Sequence, residues 1–147
     1  MQKSKPTNVN INQLQSNEQR VSTKAGATAQ HSGVRLLAAA QNGQQAVTEL
    51  KKIIKELLNG FETQHTLEFY NKPSTPFIFV MRISMKGIEL HIEKETKKRK
   101  YQFNTTTTLF KIDGKEADIT HLKLFFERVG QVLEMVGNNQ ATYVELA

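Results

Sequence analysis

The residues with most chemical potential in this chain are the charged ones crowded into Lys94-Glu95-Thr96-Lys97-Lys98-Arg99-Lys100. Cations at that density can neutralise phosphates, each contact releasing a counterion, so a hairpin tip built from them predicts a nucleic-acid contact. The same spacing has a plainer use. If the chain turns at Thr96-Lys97, Glu93 falls opposite Lys100 and Glu95 opposite Lys98. Such opposite-charge pairs support an antiparallel sheet by about 0.2–1 kcal/mol each. Lysines at a sheet periphery also discourage edge pairing. Lys97 and Arg99 are then the cations left over, and they are the candidate nucleic-acid residues.

Other combinations carry less. Glu89, His91 and Glu93 share the outward face of one strand, and two carboxylates flanking an imidazole suit a divalent metal. Alternate strand residues stand roughly 7 Å apart, so these three cannot meet on one ion without help from another element. His31, His65 and His121 are scattered, and neither a metal site nor a cofactor is expected. Catalysis needs a nucleophile with its base, or paired carboxylates in a pocket. The chain has no cysteine, no glycine-rich phosphate loop, and only Ser74 and Ser84 as serines in the part expected to fold, so it reads as no enzyme. Thr105 to Thr108 reads as strand-forming sequence. Tyr101 and Phe103 could stack bases on an open sheet, but they share a face with Ile83 and Leu90, which makes them core residues.

The elements that must position these groups centre on an antiparallel meander from Phe77 to Phe103. Phe77, Phe79, Met81, Ile83 and Met85 alternate, and Ile88, Leu90 and Ile92 resume the alternation after Lys86-Gly87. A turn at Lys86-Gly87 sets Met85 opposite Ile88, Ile83 opposite Leu90 and Met81 opposite Ile92. The next turn sets Ile92 opposite Tyr101 and Leu90 opposite Phe103, so one face is apolar and needs a cover. Thr66 to Tyr70 supplies a strand before the Lys72 to Pro76 loop, and Asp113-Gly114 marks a later turn. Tyr101 and Phe103 are odd-numbered while Phe110 and Ile112 are even, which implies a bulge or break within Asn104 to Thr108.

Two helices flank the strands. Leu36, Ala40, Gly43, Val47, Leu50, Ile54, Leu57 and Phe61 recur at steps of four and three, predicting one long helix over Val34 to Asn59, with Gly60 as its stop. Asn42 with Gln45 offers an alternative, the cap of a second, shorter helix. The small residues Ala40 and Gly43 suit close approach by another helix, and Leu36, Ala40 and Gly43 are the candidate partner-binding residues. A second helix is predicted from a cap at Asp118 or Thr120 to Val136, with Leu122, Phe125, Phe126, Val129, Val132, Leu133 and Val136 on its apolar face and Gly137 ending it. Tyr143 or Val144 then docks at a sheet edge. The fold expected is two-layer α+β, an antiparallel meander of four to five strands covered on one face by two helices, in the order α-βββββ-α. The helix, the Leu67-Glu68-Phe69 strand and the alternating strand that follows form an order similar to that of the small flagellar FlaG proteins. This chain lacks their isoleucine–proline signature and adds two strands, so no residue role is carried over.

Composition bounds the rest. At 147 residues the chain is about one domain. Met1 to Gly33 is rich in Gln, Asn, Ser and Thr, and carries Lys3, Lys5, Arg20 and Lys24 against Glu18 alone. Residues 1–33 are therefore expected to be a disordered or partner-binding tail, with one α+β domain over 34–147. The absence of cysteine excludes disulfides and thiolate metal sites. The longest uncharged apolar run, Pro73 to Met81, is far short of the roughly 20 residues that span a bilayer, and Lys3 and Lys5 precede no apolar signal region. A cytoplasmic location with no membrane contact is the expectation. The net charge of +6 favours acidic partners. The function expected is a non-enzymatic binding or assembly protein that uses the tail and the long helix for a protein partner or self-association. The alternative is a nucleic-acid-binding module using the basic tail with Lys97 and Arg99. No small-molecule substrate is expected.

Overall fold

Alternating apolar residues build one antiparallel sheet; two of the three helices pack on its buried face, and the first helix packs on those two. The structure is a computed structural model describing residues 19–73 and 75–147, and the side chains of all of these except 43, 44 and 119–122. The elements run β1 (Gln19–Arg20), α1 (Thr23–Ala39), α2 (Gly43–Gly60), β2 (Thr66–Asn71), β3 (Ile78–Ser84), β4 (Gly87–Lys94), β5 (Lys97–Asn104), β6 (Phe110–Ile112), β7 (Lys115–Glu116), α3 (Ile119–Gly137) and β8 (Ala141–Leu146). The sheet has eight strands in the order β1-β8-β2-β3-β4-β5-β6-β7. It is thus larger than the four to five strands expected. The additions are a two-residue edge strand, the small hairpin about Asp113-Gly114, and β8, which inserts beside β2 instead of docking at an edge.

The apolar face is the one the alternation predicts, but the register differs by two residues. Met81 lies opposite Leu90, Ile83 opposite Ile88, and Ser84 opposite Gly87, so the turn is Met85-Lys86 and not Lys86-Gly87. Met85 leaves the core and is 49% exposed. The reason lies one strand away. A Cβ on Gly87 would come 1.8 Å from the Phe103 carbonyl oxygen, and the residue has φ +148°, so glycine serves a close approach within the strand pair. In the next hairpin, Ile88 faces Phe103 and Leu90 faces Tyr101, and the turn is Glu95-Thr96, with Glu95 at φ 60°. Thr105 to Thr108 is not a strand. The Asn104 Oδ1 accepts the Thr106 and Thr107 amides at 2.8 and 2.9 Å, and Thr108 takes φ 57°, which makes this stretch the β5–β6 turn. That turn accounts for the change of parity between Phe103 and Phe110.

The helical region also differs from expectation. The single helix over Val34 to Asn59 is two helices, broken at Ala40, Gln41 and Asn42, and the weaker Asn42–Gln45 signal marks the break. Asn42 is the N-cap of α2, and its Nδ2 donates to Gln45 Oε1 at 2.9 Å. Arg35 ties the pair together through Glu49 and Glu56. The first helix starts at Thr23, capped by Ser22, whose Oγ accepts the Ala25 amide at 3.1 Å. Residues 23–33, expected in the tail, therefore pack against the rest of the chain, and Ala25, Gly26, Ala29, Ser32 and Gly33 are buried. Residues 1–18 of that tail, Ser74, and the side chains of Thr120, His121 and Leu122 lie outside those described.

Small residues let α1 approach α3 closely. Gly26 faces Gly137, and Gly33 faces Gly130, so the helices run antiparallel at backbone contact. Helix α2 packs on β3 and β4, while α3 sets Phe125 and Phe126 against Tyr101 and Phe110. Burial of side chains as large as Phe69, Phe79, Phe125 and Phe126 is worth about 1.5–3 kcal/mol each, which anchors both helices to the sheet.

Candidate functional site

The β4–β5 hairpin sorts its charges by face. On the outward face, Glu93 lies opposite Lys98 and His91 opposite Lys100. The expected pairs Glu93–Lys100 and Glu95–Lys98 do not form, because the register moves by two and Glu95 enters the turn. On the other face, Lys94 lies directly opposite Lys97, and Arg99 opposite Ile92. Like charges directly opposite are destabilising, so this end of the hairpin carries a local electrostatic cost. Neither Lys94 nor Lys97 forms an ion pair among the described residues.

That face reaches past the sheet core toward α3 and forms a cleft of about 260 Å³. Lys94, Glu95, Lys97 and Arg99 line it from the hairpin, Leu124 and Arg128 from α3, with Ile92 and Tyr101 beneath. Leu124 is 47% exposed. Tyr101 is only 2% exposed and lies against Phe125, ring centroids 5.5 Å apart, so its ring offers no face to a base. Burial raises the Tyr101 pKa, working against the nearby cations Arg128 and Arg99, and the phenol stays protonated at neutral pH. Arg128 also donates to Gln131 Oε1 at 3.0 Å, which holds it along the helix.

Arg99 is not the free cation the sequence suggests. Its Nη1 lies 2.6 Å from Asp113 Oδ2, while Asp113 Oδ1 accepts the Lys100 amide at 2.9 Å. The amide bond and the guanidinium together hold the Asp113 carboxyl below its ordinary range. Lys97 remains exposed at the turn. The candidate partner residues on the helices fare differently. Leu36 has no exposed surface and Ala40 is 5% exposed, so both belong to the chain's own core, and Gly43 opens α2 instead of lying in a helix interior. Arg128 and Leu124 escaped sequence reading because only the packing of α3 brings them to the hairpin.

The outward face of the sheet carries a row of polar residues across successive strands, Glu68, Arg82, Glu89, Gln102, Lys111 and Glu116. Arg82 bonds Glu68 and lies 3.4 Å from Glu89, which accepts from Gln102 at 2.9 Å. Desolvation opposes ionisation of Glu89, but the Gln102 and His91 hydrogen bonds and the Lys100 charge outweigh it and keep its pKa low. A broader concavity of about 470 Å³ opens on this face beside Gly87, where Arg82 and Glu89 are already committed to that row. His91 lies 3.4 Å from Glu89, and among the described residues no three His, Asp or Glu side chains gather to hold a metal. No described helix is long and apolar enough to cross a membrane. No protein-family model, curated protein or solved structure matches this chain.

Proposed function

We propose that this chain is a non-enzymatic binding protein that works through protein contacts, in the cytoplasm and without a cofactor. The contact surface is the cleft between the β4–β5 hairpin and α3, since Leu36 and Ala40 are spent on the core. The observation that carries this reading is the coincidence of like-charged Lys94 and Lys97 with an exposed Leu124 in one cleft. A partner seated there would take Leu124 out of water while its polar groups meet the cations around it, in the manner of an interface with an apolar centre and a polar rim.

The rival is nucleic-acid binding through Lys97 and Arg99, favoured by the cation density of the hairpin. The hairpin lacks a stacking platform: all eight phenylalanines and Tyr101 are buried, there is no tryptophan, and the half-buried Tyr70 and Tyr143 belong to β2 and β8. Arg99 is moreover engaged by Asp113. The deciding measurement is the size and mobility of the protein in low and high salt, with and without single- and double-stranded oligonucleotides. Protein contact predicts no stable complex with either at near-physiological salt. A mobility shift that fades with salt and disappears in a Lys97→Ala/Arg99→Ala variant gives the function to the rival.

A further inference from the structure

We infer that the cleft between the β4–β5 hairpin and α3 takes an acidic peptide segment bearing one aliphatic anchor, which rests on Leu124 while its carboxylates bridge Lys94, Lys97 and Arg128. The inference builds on the protein-contact reading and names the chemistry of the partner. Across the hairpin, Lys94 and Lys97 face each other, and neither forms an ion pair among the described residues, whereas the outward face of the same two strands sets Glu93 against Lys98. Charge is thus balanced on one face and left in surplus on the other. Among the described residues Glu95 is the one acid lining the cleft, and Asp113 nearby is taken up by Arg99, so the surface a ligand meets is cationic. An acidic segment would relieve the Lys94–Lys97 repulsion on binding.

The apolar part of the cleft decides what carries the acid. Leu124 stands exposed beside the cations, over a floor of Ile92 and Tyr101 that is itself buried. Removing an exposed leucine from water rewards an aliphatic neighbour, which phosphodiesters and sugars do not provide. At about 260 Å³, the cleft holds a side chain or two. Burial of the Tyr101 ring removes the stacking contact on which single-stranded nucleic acid depends.

Fluorescence anisotropy with labelled synthetic peptides tests this on the full chain. One peptide carries a single leucine flanked by glutamates. One replaces the glutamates by glutamines, one replaces the leucine by serine, and a single-stranded oligonucleotide of equal charge is the fourth probe. The glutamate–leucine peptide should bind best and weaken as salt rises. Lys94→Ala/Lys97→Ala should weaken it about fivefold to tenfold, with the melting temperature held or raised because a repulsion is removed. Leu124→Ser should weaken it by a similar factor yet leave the serine control unchanged. If the glutamine peptide binds equally well, the acidic character is wrong while protein contact stands. If the oligonucleotide binds more tightly through Lys97 and Arg99, both readings fall. Binding to none of the four probes also overturns the inference.

Discussion

Gly33 of α1 lies so close to α3 that a methyl group on it would sit 2.9 Å from the Gly130 carbonyl oxygen. The neighbour is backbone, with the Leu133 Cβ at 3.2 Å and the Glu134 amide at 3.3 Å, so no side chain can swing aside. Gly33→Ala should force the helices apart and cost about 1–3 kcal/mol, as overpacking does. Gly26, one pair further along the seam, meets Gly137 at an ordinary 3.5 Å. Gly26→Ala should be neutral or stabilise by up to about 1 kcal/mol, through helix propensity. Urea titration of both variants checks the contrast, and equal effects would show that the seam is not at backbone contact.

Gly87→Ala is expected to be far more damaging than its size suggests. With the Phe103 oxygen 1.8 Å from the new carbon, β4 and β5 must separate there. A loss of about 4 kcal/mol or more is expected, together with faster amide exchange at Ile88 and Phe103. If Gly87 served only as a turn residue, the loss would be smaller and confined to Met85 and Lys86.

The αL position that ends α2 is filled by Glu62 at φ 56°, just beyond Gly60. The Thr63 amide bonds the Leu58 carbonyl at 3.0 Å, as a helix stop with a left-handed residue requires. A side chain in that conformation costs about 1–2 kcal/mol, so Glu62→Gly should stabilise the fold by about 0.5–1 kcal/mol once backbone entropy is subtracted. Asn139, the counterpart after α3, has φ 60°, and Asn139→Gly should gain less because asparagine tolerates αL. Thermal melts of the two variants rank them.

Asp113 gives the β5–β6 region a dependence on pH. Its carboxyl is held low in the folded state by the Lys100 amide and then by Arg99, so the stabilisation is full above the unfolded carboxyl pKa of about 3.9. It is lost as pH falls through the lower folded value. Asp113→Asn keeps an acceptor for the Lys100 amide and removes only the charge that Arg99 meets. The variant should melt below the parent at pH 7, and the two melting temperatures should converge as the pH drops below about 3.9. A gap that persists at acid pH would assign the effect to geometry instead of ionisation.

Alternation told which side chains face the helices, because a period of two marks a face unambiguously. It could not tell register, since a shift by two residues leaves every side chain on its face. Ile83 is buried whether it meets Leu90 or Ile88. The constraint that chooses between them acts at Gly87 through the Phe103 carbonyl, a contact invisible to local reading. Helix α1 went unseen for residues 23–33 because its buried positions are Ala25, Gly26, Ala29, Ser32 and Gly33. Their recurrence at helical spacing is a signal, but one of smallness and not of hydrophobicity. In the candidate site, Lys97 was legible from charge density. The like-charge pairing with Lys94 depended on the register, and the contribution of Leu124 and Arg128 depended on tertiary packing.

The placement of β8 between β1 and β2 sets an order of events for a chain emerging from a ribosome. β2 meets β3 early, but its other edge stays open until everything through α3 has been made. During that interval Leu67 and Phe69 flank an unpaired row of amides and carbonyls, in a nascent chain whose α1 also awaits the glycines of α3. An open strand edge of this kind recruits foreign strands. Slow translation after β7 would prolong the opening, and a chaperone acting on this protein would have β2 as its natural client segment.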